Sequence, residues 1–338
     1  MGQPVAPPIS PQDADSAHDE REVRCSHETE PGAIRTFLGM PAVVASGAMR
    51  NLLALVERTG RSPASVLITG ETGAGKELIA RAVHHYSRRA GGPWIDLNCA
   101  ALPELLIESE LFGYERGAFS GAIAAKPGMF ELAHTGSVFL DEISELSERM
   151  QVKLLRVLDG APYYRLGGTR KVSVDARIIA ASNQNLEEAT AAGTFRRDLY
   201  HRLAQLRVHV PPLRERPEDV PALARFFLDQ QELQEQRPLR FSPEALGALD
   251  RYAWPGNVRE LRNVVVQAAV MADDVIELRH LPIPVRAAPA KAVRLEDLER
   301  EAILRVLAES GGQQQPAADM LGISLRTLGR KLKSYNPK

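Results

Sequence analysis

Two short segments of this chain have the composition of a phosphate-handling site. Gly70-Glu71-Thr72-Gly73-Ala74-Gly75-Lys76 combines glycines, which let backbone N–H groups turn toward phosphate oxygens, with a lysine that can reach the outer phosphates of a nucleotide. The strict pattern has Ser or Thr next, to hold magnesium; here Glu77 follows. A glycine-rich turn without a ligand is the bland alternative, but an apolar run precedes the segment and a helical pattern follows it. Val138-Phe139-Leu140-Asp141-Glu142 ends an apolar run in two acids. Asp141 is thereby placed to hold Mg²⁺, and Glu142 to polarise a water for in-line attack on a phosphoryl group. The same acids could instead decorate a helix N-terminus. Nucleotide chemistry does not require Gly113-Tyr-Glu-Arg-Gly-Ala-Phe-Ser-Gly-Ala122, an aromatic ring among small residues where the chain should be solvated. It reads as a tip made to touch a partner.

Strands must deliver these loops. Val66–Ile68, Trp94–Leu97, Val138–Leu140, Arg177–Ala181 and Leu206–Val208 are short apolar runs. They alternate with helical patterns such as Lys76–Tyr86 and Met150–Leu158, which predicts a parallel α/β sheet covered on both faces over residues 37–215. Residues 216–283 show no strand pattern and read as a helical subdomain, with helices at Val220–Leu228 and Gly256–Met271. Pro282, Pro284 and Pro289 mark a linker at 284–294.

Residues 295–338 form a third unit. Leu295, Leu298, Ala302, Ile303 and Val306 make one helical stripe. A second helix covers about 314–321, with Pro316 acceptable only in its first turn. Gly322-Ile323 turns the chain, and Ser324 caps a third helix. On that helix Leu325, Leu328 and Leu332 share a face, while Arg326, Thr327, Arg330, Lys331 and Lys333 occupy the rest. The pattern is that of a helix-turn-helix whose last helix enters a DNA major groove; a charged surface helix is the alternative. Residues 1–36, with Pro4, Pro7, Pro8, Pro11 and Pro31, read as a disordered tail too short for a sensory domain. Control is therefore expected from outside, from a regulatory protein acting in trans or from the chain's own abundance.

The 338 residues are 44% hydrophobic and 25% charged with a formal net charge of -1, so any nucleic-acid surface must be local. Cys25 and Cys99 are the only cysteines; a disulfide is not expected, and a reducing cytoplasm fits. No apolar run reaches the roughly 18 residues of a membrane span, and a secretory leader is not expected, since no secretory h-region is seen. His84, His85 and His201 have no metal-binding spacing.

Many motifs in fixed order resemble the bacterial enhancer-binding proteins, AAA+ ATPases that activate RNA polymerase carrying sigma-54. The resemblance covers about residues 37–283 and, more weakly, 295–334. Its motifs are 70–77, Asn98-Cys99-Ala100-Ala101, Glu108–Gly113, Phe139–Glu142, Phe195–Leu203, Pro211–Arg216 and Trp254–Leu261. Glu77 is then the family's usual residue. The resemblance implies an AAA+ P-loop ATPase with a helical lid and an all-α Fis-like helix-turn-helix domain, using ATP and Mg²⁺ in a ring, most often a hexamer. The implied partners are the sigma-54 RNA polymerase holoenzyme and double-stranded enhancer DNA.

Particular positions inherit roles from it. Gly117, Ala118, Phe119, Ser120, Gly121 and Ala122 match the sigma-54 contact loop, with Phe119 as the contacting ring. Asn98 matches the residue that holds Glu142 idle, Asn183 the sensor of the terminal phosphate, and Arg259 the lid arginine facing its own subunit's nucleotide. Arg196 and Arg202 match arginines that reach a neighbour's nucleotide. On residue types alone, Arg196, Arg197 and Arg202 are equally readable as solvated or paired with Asp198. Ser120 departs from the family's Thr, keeping the hydroxyl while losing a methyl. Gly311-Gly312-Gln313 and Pro316 depart in the DNA-binding part. The resulting expectation is a sigma-54-dependent activator that couples ATP hydrolysis to remodelling of the closed promoter complex. A nucleotide-regulated DNA-binding protein that does not engage sigma-54 is the alternative. A general AAA+ chaperone would need neither the loop nor the helix-turn-helix.

Overall fold

The computed structural model describes residues 33–284, 299, 302–307 and 310–335, which fall into two compact units dividing after Pro282. The first begins with a hairpin, Ala33–Phe37 antiparallel to Met40–Val44. Its turn residues Leu38 and Gly39 have φ of 47° and 78°, as a tight hairpin requires. Residues 33–36 therefore belong to a strand rather than to the expected tail; the remainder of that tail, 1–32, lies outside the described residues. The correction has a tertiary cause, because Phe37 is buried edge-on against His85 and Tyr86.

Five parallel strands form the central sheet in the order Leu206–His209, Val66–Thr69, Arg177–Ser182, Ser137–Asp141, Trp94–Asn98. All five coincide with the expected runs. Side chains alternate across a strand, and both faces here are apolar. Leu67, Val138, Leu140, Ile178 and Ala180 enter one core, while Val66, Ile68, Phe139, Ile179 and Ala181 enter the other with Val56, Ile79 and Val83. Two buried faces make the three inner strands, Val66–Thr69, Ser137–Asp141 and Arg177–Ser182, nearly continuous apolar runs, while the edge strands keep exposed Asp96 and Arg207. Arg177 is buried without a carboxylate and donates to the carbonyls of Thr59, Gly60 and Ala64 at the end of helix Gly47–Gly60. Burial lowers its pKa to about 10, so it stays charged and compensates the helix C-terminus.

Helices Asp219–Glu235, Pro243–Arg251 and Asn257–Met271 form the lid. They are accompanied by a two-residue parallel ladder, Arg240–Phe241 with Val275–Ile276, which the strand-free reading missed. Two residues are too short to carry an alternation signal. Among the described residues, no helix is long and apolar enough to cross a membrane.

In the second unit, residues 302–307 are helical, followed by Gln314–Met320 and Leu325–Tyr335. Pro316 lies in the first turn, where its missing N–H costs nothing. Ser324 Oγ accepts the Thr327 N–H at 3.2 Å, the expected cap. Ile303, Ala317, Ala318 and Leu328 make the core, with Val306 and Leu332 partly buried against it. Leu325, expected on the same face, is 44% exposed, because that small core closes on Leu328 and Leu332 and reaches no further along the helix. Leu295, Leu298 and the linker from 285 onward lie outside the described residues.

Candidate nucleotide site and projecting loop

The phosphate segment leaves the sheet at Thr69 and enters helix Lys76–His85 through Gly75, whose φ is 106°. Lys76 is buried at the mouth of this turn, with Nζ donating to the Gly70 carbonyl at 3.0 Å and lying 3.6 Å from Glu142 Oε1. Asp141 ends its strand beside it. Burial, and then the neighbouring Glu142 charge, raise the Asp141 pKa, while Lys76 opposes them. Glu142 has a left-handed φ of 51°. Its N–H donates to Asp141 Oδ1 at 3.0 Å, and its carboxylate accepts the Asn183 N–H at 3.2 Å. Asn183 Nδ2 in turn donates to Thr72 Oγ1 at 3.2 Å. Three strand ends thus converge lysine, two acids and an amide on one turn.

The lid is fastened directly to that turn. Val258 N–H donates to the Gly73 carbonyl at 3.0 Å. Gly73 must be glycine: its φ is 76°, and a Cβ there would stand 2.4 Å from the Gly256 carbonyl oxygen. Buried Asn257, with φ of 54°, accepts the Leu213 N–H and donates from Nδ2 to Glu71 Oε2 and to the Thr72 carbonyl. Arg214 grips Glu71 with two bonds, at 2.6 and 2.8 Å. Those bonds, with the one from Asn257, hold the Glu71 carboxyl at a pKa of about 2. Arg216 donates to the Ala74 carbonyl at 2.6 Å and is ion-paired with buried Asp219.

A cavity of about 710 Å³ opens between turn and lid. Thr72 to Glu77, Asp141, Glu142 and Arg259 line its polar end. Met40, Pro41, Leu223, Phe226 and Phe227 line an apolar end. Arg81, Arg216 and Arg262 also line it and escaped the sequence reading. Of these, Arg262 had a legible signal, lying three residues after Arg259 on the same helix face. Glu77 pairs with Arg81 at 2.8 Å and so braces the first turn of its helix.

The remaining expected residues lie elsewhere. Asn98 is in register with Asp141, but its Oδ1 accepts the Ala100 N–H at 2.8 Å, and no hydrogen bond joins it to Glu142 among the described residues. Arg196 grips Asp198 at 2.6 and 3.1 Å. Arg202 donates to the Leu158 carbonyl and pairs with Asp159 at 3.2 Å. Neither lines the cavity of its own chain. Cys99 is buried, which lifts its thiol to about 12. Buried His84 bonds Ser137 Oγ at 2.8 Å, a structural role. Among the described residues, no metal-binding cluster of histidine, cysteine and acids occurs.

The loop 113–127 leaves the end of helix Glu104–Phe112 as a short ladder, Gly113–Tyr114 with Lys126–Pro127. Gly117 N–H donates to the Ala122 carbonyl and Ala122 N–H to the Phe119 carbonyl, which closes the tip. Phe119 is 44% exposed with Tyr114 edge-on at 5.0 Å, and Ser120 is exposed. A second hairpin, Tyr163–Tyr164 with Lys171–Val172, buttresses the base. Its Arg165 pairs with Glu115 and Glu131. Gly167 approaches so closely that a Cβ would lie 2.9 Å from Ala118. On the terminal helix Arg326 and Arg330 are exposed, while Lys331 pairs with Glu299 at 2.5 Å; the Lys333 side chain is outside the described set.

Residues 42–209 match the sigma-54 interaction domain, 214–297 the AAA+ ATPase lid domain, and 294–335 the bacterial regulatory protein, Fis family. The transcriptional regulatory protein ZraR of Salmonella typhimurium is 42% identical over 337 residues, spanning 96% of this chain and 76% of its own length. The chain belongs to the sigma-54-dependent transcriptional activators. The Nif-specific regulatory protein of Azotobacter vinelandii is another relative, 40% identical over 99% of this chain. This chain spans 66% of that protein's length. Among solved structures, NtrX from Brucella abortus superimposes with a TM-score of 0.67 at 38% identity, covering 86% of this chain and 68% of that one. For this activator, then, the AAA+ core with its lid and the Fis-type helix-turn-helix are family features.

Proposed function

We propose that the chain is an ATP-hydrolysing activator. It assembles into a ring, binds enhancer DNA through its terminal helices, and drives its 117–122 loops against sigma-54 to remodel the closed promoter complex. The observation that carries this reading is the convergence of Lys76, Asp141, Glu142 and Asn183 on one phosphate turn under a lid bonded to that turn. The related NtrX has been solved in complex with ATP and with ADP, and ATP is the ligand proposed for the cavity here. Backbone N–H groups of 71–76 and Lys76 would hold the phosphates, and the apolar end would hold the base. Asp141, desolvated and kept beside a like charge, suits a hard divalent cation such as Mg²⁺, which when bound neutralises charge on the phosphate oxygens.

Glu142 orients the attacking water and accepts its proton, while Lys76 and Asn183 stabilise charge on the departing phosphoryl group. Its contacts with Lys76 and the Asn183 N–H hold it at the turn. Arg196 and Arg202 exchange their present acid and carbonyl partners for a neighbour's phosphates on ring closure. An arginine supplied this way is worth about 10³–10⁵ in rate. Asn98 restrains Glu142 in the assembled state through a rotamer other than the one seen here.

Phosphate release by the purified chain, rising with concentration as rings form and abolished by Glu142→Ala, tests the hydrolytic part. Release that is absent at all concentrations would favour the reading in which nucleotide only promotes assembly on DNA.

A further inference from the structure

The apolar surface of the projecting loop does not end where the sigma-contact motif ends. From Gly117 to Ala125 the chain carries no charged residue, and Arg116 and Lys126 flank the stretch. Ala122 is buried and anchors the tip. Beyond it Ile123, Ala124 and Ala125 are all exposed, and Ile123 is 86% exposed. A β-branched side chain left so bare gains nothing in the free protein, and several adjoining apolar groups form a patch rather than scattered surface residues. The stretch follows the tip directly in the chain, and Ile123 N–H donates to the Gly121 carbonyl at 2.9 Å. Lys126 is already paired with Glu110 at 2.6 Å. Arg116 is exposed and has no described side-chain partner.

We infer that the sigma-54 contact surface of this chain has two apolar limbs, Phe119 within the tip and Ile123 to Ala125 following it, with Arg116 preceding both. The inference rests on the loop assignment above and enlarges it beyond the motif. The occupant is a segment of sigma-54 that presents apolar side chains to both limbs and a carboxylate to Arg116. The loop lies within the matched sigma-54 interaction domain, residues 42–209, which favours sigma-54 over a second copy of the chain. Lys126, pre-paired within the ladder, holds the second limb in place and takes no part in recognition.

The test uses full-length protein and purified sigma-54, captured in the presence of ADP and aluminium fluoride. Ile123→Ser should weaken capture at least tenfold with Tm and ring size unchanged, Ile123→Val should restore it to within about threefold, and Phe119→Ala should abolish it. Arg116→Ala should weaken capture and flatten its salt dependence. Full capture by Ile123→Ser while Phe119→Ala fails would overturn the two-limbed surface and leave the motif's role intact. Full capture by Phe119→Ala would instead remove the loop assignment itself. A change in ring size with Ile123→Ser, at unaltered capture per ring, would assign the limb to contact between copies and overturn the proposal.

Discussion

Asn257 Nδ2 lies 3.0 Å from Glu71 Oε2 and 3.1 Å from the Thr72 carbonyl oxygen, so the first residue of the lid helix holds the phosphate turn in its own hand. The same side chain accepts the Leu213 N–H at 2.8 Å. This fully buried amide is therefore one of the joints between subdomain and lid, with Arg259 two residues further along the helix it starts.

Asn257→Ala strands buried donors and acceptors at about 1–3 kcal/mol each and places alanine in a left-handed conformation at a cost of roughly 1–2 kcal/mol. The expected result is a loss of about 3 kcal/mol in denaturant unfolding and a several-fold rise in KM for ATP. Asn257→Gly should recover about 1 kcal/mol of stability, because glycine tolerates the backbone, while KM stays raised. A KM equal to that of the unmodified chain in both variants would deny the residue its positioning role.

Glu142→Gln keeps the shape of the site and removes the proposed base. Turnover should fall about 10³-fold, with binding of a fluorescent ATP analogue retained. Lys76→Ala, by contrast, should lose binding, since it removes the buried cation at the turn. Equilibrium binding beside steady-state phosphate release distinguishes the two.

Glu71 supplies a pH dependence whose sign is set by its pairing. Its folded pKa, about 2, lies below the ordinary value of 4.5. The stabilisation is therefore complete above about 4.5 and is lost as pH falls from there toward 2. Arg214 and Glu71 are 47% and 42% exposed, so the contribution is no more than about 1 kcal/mol. The stability gap between the unmodified chain and Glu71→Gln should be constant from pH 6 to 8 and should close as acid is added, read from urea midpoints. A gap that widens in acid would contradict the pairing.

Arg330 is exposed on the basic face of the terminal helix. If it neutralises one DNA phosphate, Arg330→Ala should lower the slope of log affinity against log salt by about 0.9. An unchanged slope would remove Arg330 from the interface.

The phosphate turn, the acidic strand end, the order of strands and helices, and the Ser324 cap were legible in the sequence, because each depends on neighbours within a few residues. Motifs such as Gly70–Lys76 encode backbone conformation locally, and the inner strands announce themselves because both faces of each are buried. The tertiary structure decided everything that joins distant segments. Asn257 looked like one letter of a motif until Leu213, Glu71 and Thr72 were brought around it. Arg216 and Phe226 became cavity walls only once the lid closed over the sheet. The hairpin at Ala33–Phe37 escaped notice because its stability comes from Phe37 packing on a helix far along the chain, and Leu325 was misplaced because periodicity specifies a face but not how far a small core extends. Local conformation follows from local residue types. Which surfaces meet is settled by burial, and burial belongs to the whole chain.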